Sequence, residues 1–187
     1  MTLANILTFS RLALILPFIA CFYLPQYYGG PAALFLFMFA SFTDYVDGYL
    51  ARKMNQESEL GRFLDPIADK LLVGAALFFL MMKGYLLSAE VLAAYIIIAR
   101  EIFISGLREF LGPYGIVVNV TFWAKAKTSA QMMALFLLLI SYGFADPMYV
   151  YQAGTLFLWI SAVLALGTAV QYVQAARQQF KELKASE

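Results

Sequence analysis

The sequence predicts an all-α integral membrane protein, a bundle of six transmembrane helices with both termini in the cytoplasm. Three observations predict it. Of 187 residues, 63% are hydrophobic and 13% charged, about half the charge that a soluble surface needs. Polar breaks divide the chain into six mainly apolar segments, each near the roughly 20 residues that a helix needs to cross a bilayer. Of the 13 Lys and Arg, only Lys83 falls in a turn after an odd-numbered segment, so the positive-inside rule places both termini on the cytoplasmic side.

The segments follow in order. The first, 3–24, ends at the Pro- and Gly-containing cluster 25–30. The second, 31–50, carries Asp44 and Asp47 near its end, and the third, 62–82, opens with Asp65, Pro66 and Asp69. The fourth, 88–111, contains Arg100, Glu101, Arg108 and Glu109. The fifth, 122–144, holds Lys125, Lys127 and Thr128 in its first two turns. The sixth is 149–172, followed by a polar amphipathic tail, 174–187. No repeat or low-complexity stretch interrupts the chain, which reads as a single domain, 1–187. An apolar run that starts beside Met1 leaves no room for a cleavable leader or transit peptide, which favours a bacterial plasma membrane.

Composition removes several kinds of chemistry. There is no His, which excludes Ser-His and Cys-His nucleophilic catalysis and the His nucleophile of phospholipase-D-like lipid synthases. A single cysteine, Cys21, excludes an internal disulfide and a thiolate cluster. A net charge of +1 without a basic block gives nucleic acid no electrostatic footing. Transfer chemistry must therefore run on carboxylates, Lys, Arg or metal.

Membrane topology accounts for basic residues, but not for acids at the rim of a span, which are costly there and are kept mostly where they line a site. On a helix Asp44 and Asp47 stand at i, i+3 and Asp65 and Asp69 at i, i+4, so each pair shares a face. The two segments are consecutive and antiparallel, which puts all four carboxylates at one depth. Unpaired they repel one another. Two hard divalent cations, Mg²⁺ or Mn²⁺, suit such an all-oxygen set. Gly48 and Gly61 let a bulky group approach the backbone, and Arg52 offers a forked cation for a phosphoryl oxygen. The whole pattern is Asp44-x2-Asp47-Gly48-x2-Ala51-Arg52-x8-Gly61-x3-Asp65-x3-Asp69, eight specified positions in 26 residues.

That pattern resembles, position for position, the motif of the CDP-alcohol phosphatidyltransferase family. The resemblance implies a six-helix membrane enzyme, usually a homodimer, that moves a phosphatidyl or related group from a CDP-linked donor to an alcohol and releases CMP. It further implies that Asp44, Asp47, Asp65 and Asp69 hold two metal ions, that Asp69 is the base, and that Gly48, Ala51, Arg52 and Gly61 shape the cytidine diphosphate pocket. Asn5 and Thr8, with Arg11, also match, as do Arg100-Glu101-x3-Ser105-Gly106-Leu107-Arg108-Glu109 and Trp123-Ala124-Lys125-x-Lys127-Thr128-x2-Gln131. These segments resemble the branch that accepts glycerol 3-phosphate, with CDP-diacylglycerol as donor, and assign Asn5 and Thr8 to the donor.

An acceptor with its own phosphate needs a cationic pocket apart from the metals. Arg108, Lys125 and Lys127, with Thr128, are the candidates, and Arg11 and Arg100 stand in reserve. Each has a plainer reading: Lys125 and Lys127 as snorkelling anchors, Arg100–Glu101 and Arg108–Glu109 as local charge pairs. Two other functions stay open. A cardiolipin synthase of the same superfamily would use phosphatidylglycerol as acceptor, and a small ion transporter would use the acids as an ion path. The ladder Ser161, Ala165, Ala169 has the spacing of a close helix contact, internal or between subunits.

Overall fold

The computed structural model describes the backbone of residues 3–54, 59–118, 121–144 and 148–185, and their side chains except at 3–9, 11, 44–54, 59–63, 65 and 184–185. Among the described residues there are six α-helices and no strand: α1 (Leu3–Cys21), α2 (Gln26–Met54), α3 (Glu59–Met82), α4 (Ala89–Leu111), α5 (Phe122–Phe144) and α6 (Met148–Ala185), with a 3-10 turn, Gly112–Tyr114, after α4.

Helix ends differ from the sequence reading by three or four residues at 21, 54 and 59, and by more at two places. Helix α2 starts at Gln26 and carries Pro31 inside it, because the cluster 25–30 is absorbed into its first turn, where Tyr28 and Gly29 N–H both donate to Pro25 O at 2.9 Å. The tail after the sixth segment is not separate. Nothing between 172 and 174 breaks a helix, and α6 runs on for 38 residues, about 57 Å at 1.5 Å per residue. Among the described residues, 148–183 is the one stretch that is long and apolar enough to cross a membrane, with a mean hydropathy of 1.9 over its most apolar 18 residues. Helix α4 falls short because five of its side chains are charged.

The chain forms two compact units, Met1–Leu87 with Leu135–Gly154, and Ser88–Ala134 with Thr155–Glu187, so α5 and α6 each contribute to both. In the first unit α1 packs on α2 and α3. Its buried centre is aromatic: Phe22 stacks on Phe79 at 5.3 Å and on Tyr142 at 5.5 Å, and Phe18 meets Phe22 edge-on at 5.4 Å. Here α2 and α5 touch backbone to backbone. A Cβ on Gly143 would lie 2.8 Å from Gly30 C and 3.0 Å from Pro31 N, and a Cβ on Gly30 would strike Gly143 in turn. Only glycine permits so close an approach. Gln26 Nε2 donates to Tyr142 O at 2.7 Å beside this crossing, and Tyr85 and Ser141 share a hydroxyl hydrogen bond.

The second unit is built on small residues. Ala93, Ala94, Ala130, Ala134, Ser161, Ala162 and Ala165 are buried with Ile97, Ile104 and Leu158. Ser161 Oγ donates to Lys127 O at 3.4 Å, so this part of the Ser161–Ala165 ladder serves packing of α6 on α5. At the end of α4, Gly115 takes the left-handed conformation (φ 68°) and its N–H bonds Gly112 O at 2.9 Å, a turn suited to glycine. The chain then folds back. Leu111, Ile116 and Ala176 form a small buried cluster with Leu107, Val118, Tyr172 and Phe180 around it, and Tyr114 meets Phe180 edge-on at 5.3 Å. These contacts hold the polar end of α6 against the end of α4.

Candidate functional site

A cavity of about 430 Å³ lies within the second unit, a size that suits a small molecule. Three helices each give it one face. Helix α4 supplies Arg100, Glu101, Ile104 and Arg108, the start of α5 supplies Ala124, Lys127 and Thr128 after Thr121, and α6 supplies Thr168, Gln171, Tyr172, Ala175 and Gln179. The spacings of three, four and seven residues are those of a helix face. Thr121 sets where α5 starts: its Oγ1 accepts the Ala124 N–H at 3.3 Å, the bond of an N-cap.

Three of the four charged side chains of the cavity wall, Arg100, Glu101 and Lys127, form a network. Lys127 is 3% exposed, and its Nζ donates to Glu101 Oε1. Arg100 Nη1 donates to the same oxygen at 3.2 Å, while Nη2 donates to Thr168 Oγ1 at 3.2 Å. Thr168 Oγ1 in turn donates to Leu164 O at 2.7 Å. Arg100 Nε is buried and has no partner among the described residues. Three cations line the cavity against one carboxylate, a net charge of +2. Lys127 is buried and Arg100 half-buried, while Arg108 is exposed; a wall of that sign is suited to an anion, and above all to a phosphate, whose oxygens match Arg and Lys donors.

The structure thus brings together Arg100, Arg108, Lys127 and Thr128 of the six residues expected to hold an acceptor phosphate. Lys125 is exposed and does not line the cavity, since two residues along a helix turn it about 200° from Lys127. The side chain of Arg11 lies outside the described residues. Lys127 is buried, so the snorkelling reading does not describe it, whereas Arg100–Glu101 is indeed an ion pair at 3.2 Å. Sequence reasoning missed the α6 wall. Its signal was partial: Thr168, Gln171 and Tyr172 stand at helical spacing just before the polar stretch that holds Gln179.

In the first unit, the backbone of α2 is helical through Asp44, Asp47, Gly48, Ala51 and Arg52, and that of α3 through Gly61, Asp65 and Asp69. The i, i+3 and i, i+4 relations within each acid pair therefore hold. Asp69 is exposed on α3. The side chains of Asp44, Asp47, Asp65, Gly48, Ala51, Arg52 and Gly61, and those of Asn5 and Thr8 on α1, lie outside the described residues. The donor set itself, four carboxylates with no imidazole in the chain, fits a hard divalent cation.

A helical chain with acid pairs on two consecutive helices of one unit and a cationic cavity in the other has the parts of a phosphoryl-transfer enzyme. It belongs to the CDP-alcohol phosphatidyltransferase family, whose model matches residues 1–167. Among curated proteins the chain is similar to the CDP-diacylglycerol–glycerol-3-phosphate 3-phosphatidyltransferase of Rickettsia bellii, with 39% identity over 178 residues, 95% of this chain and 97% of the relative. The protein of the same description from Escherichia coli K12 is 42% identical over 175 residues, 92% of this chain and 93% of that one. Among solved structures, the phosphatidylinositol phosphate synthase of Mycobacterium tuberculosis, crystallised with manganese and citrate, shares the fold. Its TM-score is 0.63 at 20% identity, over 92% of this chain and 79% of that one.

Proposed function

We propose that this chain transfers the phosphatidyl group of CDP-diacylglycerol to glycerol 3-phosphate, giving phosphatidylglycerophosphate and CMP. The observation that supports a phosphorylated acceptor, glycerol 3-phosphate or an inositol phosphate alike, is the cavity wall of Arg100, Arg108 and Lys127. Serine, a zwitterion, and ethanolamine, a cation, bring no net negative charge to neutralise that wall. The names of the relatives point the same way.

In the reaction the acceptor hydroxyl oxygen bonds to the phosphatidyl phosphorus as the bond from that phosphorus to the CMP oxygen breaks. Asp69 takes the hydroxyl proton, and Arg52 offsets charge on the phosphoryl oxygens and on departing CMP. Asn5, Thr8, Gly48, Ala51 and Gly61 seat the cytidine diphosphate end of the donor. Arg100, Arg108, Lys127 and Thr128 hold the acceptor phosphate, with Lys125 and Arg11 as further candidate cations for it. Asp44, Asp47, Asp65 and Asp69 would hold two Mg²⁺ or Mn²⁺ ions, which supply Lewis acidity at the pyrophosphate. The manganese in the M. tuberculosis structure supports that choice of ion.

The chain acts as one domain, 1–187, spanning a bacterial plasma membrane six times, with both termini and the acids on the cytoplasmic side and two copies forming a dimer. The Lys and Arg asymmetry supports the orientation. Large apolar side chains exposed on several helices, among them Leu16, Phe35, Phe39, Phe78, Tyr95, Phe103 and Val163, support a lipid-facing exterior. One assay tests the activity: purified enzyme, CDP-diacylglycerol and Mg²⁺, with CMP release compared across glycerol 3-phosphate, phosphatidylglycerol, inositol phosphate and serine. Glycerol 3-phosphate should give the fastest release, and Asp69→Asn should remove most of it, about 10²-fold or more for a lost general base. Preference for phosphatidylglycerol would replace this reading with the cardiolipin synthase.

A further inference from the structure

We propose that Glu101 is a positioning residue for the acceptor: its carboxylate holds Lys127 and Arg100 together on the cavity wall so that both are in place before a doubly charged phosphomonoester arrives. The proposal rests on the acceptor-cavity reading above and adds a residue of the opposite sign to it.

The geometry requires such a group. Lys127 comes from α5 and Arg100 from α4, yet both donate to one oxygen, Glu101 Oε1. Lys127 is 3% exposed and the side chain of Arg100 12%, so water screens their mutual repulsion poorly. Without the carboxylate, two cations sharing a buried wall would swing apart, and a phosphate would have to gather them as it bound. That ordering would weaken binding. With Glu101 present the wall is assembled and still carries a net charge of +2. A phosphomonoester bears about −1.5 to −2 at neutral pH, so it neutralises the wall, while a phosphodiester leaves a surplus cation.

Arg100 is held on the wall by the same network. Its two Nη atoms are engaged by Glu101 and Thr168, which fixes the plane of the guanidinium. Its Nε, buried and with no partner among the described residues, keeps a donor in reserve. A buried donor without an acceptor is costly, and the described residues leave that donor unused.

The test uses the purified full-length enzyme with CDP-diacylglycerol, and measures KM and kcat for glycerol 3-phosphate in Glu101→Gln and Glu101→Asp. Glutamine keeps the shape and loses the charge. It should raise the acceptor KM about tenfold or more, the size of a charge-assisted hydrogen bond, with kcat and the donor KM changed by less than about threefold. Aspartate keeps the charge and should recover most of the acceptor KM. An unchanged acceptor KM in Glu101→Gln, equal defects in both variants, or a loss spread evenly over donor and acceptor would overturn the proposal. If Glu101→Gln fails to fold, the acceptor KM of Glu101→Asp decides: near wild type supports the proposal, and a defect as large as in Arg108→Ala overturns it. Arg108→Ala and Lys127→Ala separate the two levels. If neither raises the acceptor KM, the cavity reading is what has failed; if both do and Glu101→Gln does not, only the role of Glu101 has.

Discussion

Lys127 and Lys125 are the same residue type two positions apart, and they have opposite fates. Lys125 stands in the open, whereas Lys127 is 3% exposed and meets Glu101 and, through its own carbonyl, Ser161. Spacing alone could not separate them, because either face of α5 could have been the inner one until α4 and α6 were in place. A buried pair of this kind adds little net stability while intact, but removing one partner strands the other and typically costs about 3–5 kcal/mol. Lys127→Met should therefore lower the melting temperature in detergent by several degrees, and so should Glu101→Gln. Lys127→Met with Glu101→Gln should lose clearly less than the sum of the two, a coupling of about 0.5–3 kcal/mol. Additive losses would mean that the pair carries no interaction energy. The acids that the sequence singled out most sharply lie in helices as expected. Their pattern was legible because period 3.6 alone sets which of them share a face.

Helix α6 shows why other parts of the site were not legible. Its first half satisfies the requirement for a span, and the polar residues beyond read naturally as a solvated tail. What turns the start of that polar stretch into a cavity wall is tertiary: Leu111 and Ile116 at the end of α4 bury Ala176, and Tyr114 and Phe180 meet edge to edge. No local propensity encodes a contact between residues some 65 positions apart. The same applies to the α2–α5 crossing, where Gly30 and Gly143 are ordinary helix-weakening residues until they are seen facing each other. By contrast, helix existence and order were legible throughout, since apolar runs of this length leave little alternative to helix. If the aromatic contact holds the wall, Phe180→Ala should loosen the last third of α6. Hydrogen exchange should rise over 171–185, and the acceptor KM should rise severalfold while the donor KM stays put. Faster exchange without a change in acceptor KM would separate the α6 extension from the acceptor.

For the whole molecule, the distribution of charge and the distribution of exposed apolar surface give the same account. Phe35, Phe39, Phe78 and Phe103 are exposed on α2, α3 and α4, which in water would be a severe aggregation liability and in lipid is unremarkable. Tyr23, Tyr27 and Tyr28 crowd the α1–α2 turn, also exposed, as residues at a membrane–water boundary do. In the proposed topology twelve of the 13 basic residues avoid the side on which that turn lies. The proposed topology therefore makes a prediction that uses the composition itself: the only cysteine, Cys21, is buried, so the wild-type protein should stay unlabelled by a membrane-impermeant maleimide and serves as its own blank. In intact cells Tyr27→Cys and Lys83→Cys should label, because both turns face outward. Tyr114→Cys and Lys181→Cys should label only after the membrane is opened, because the end of α4 and the far end of α6 face the cytoplasm, where the water-soluble acceptor is supplied. Labelling of all four from one side would remove the six-span arrangement, and labelling of the second pair alone in intact cells would invert it, placing the cationic cavity out of reach of a cytoplasmic acceptor.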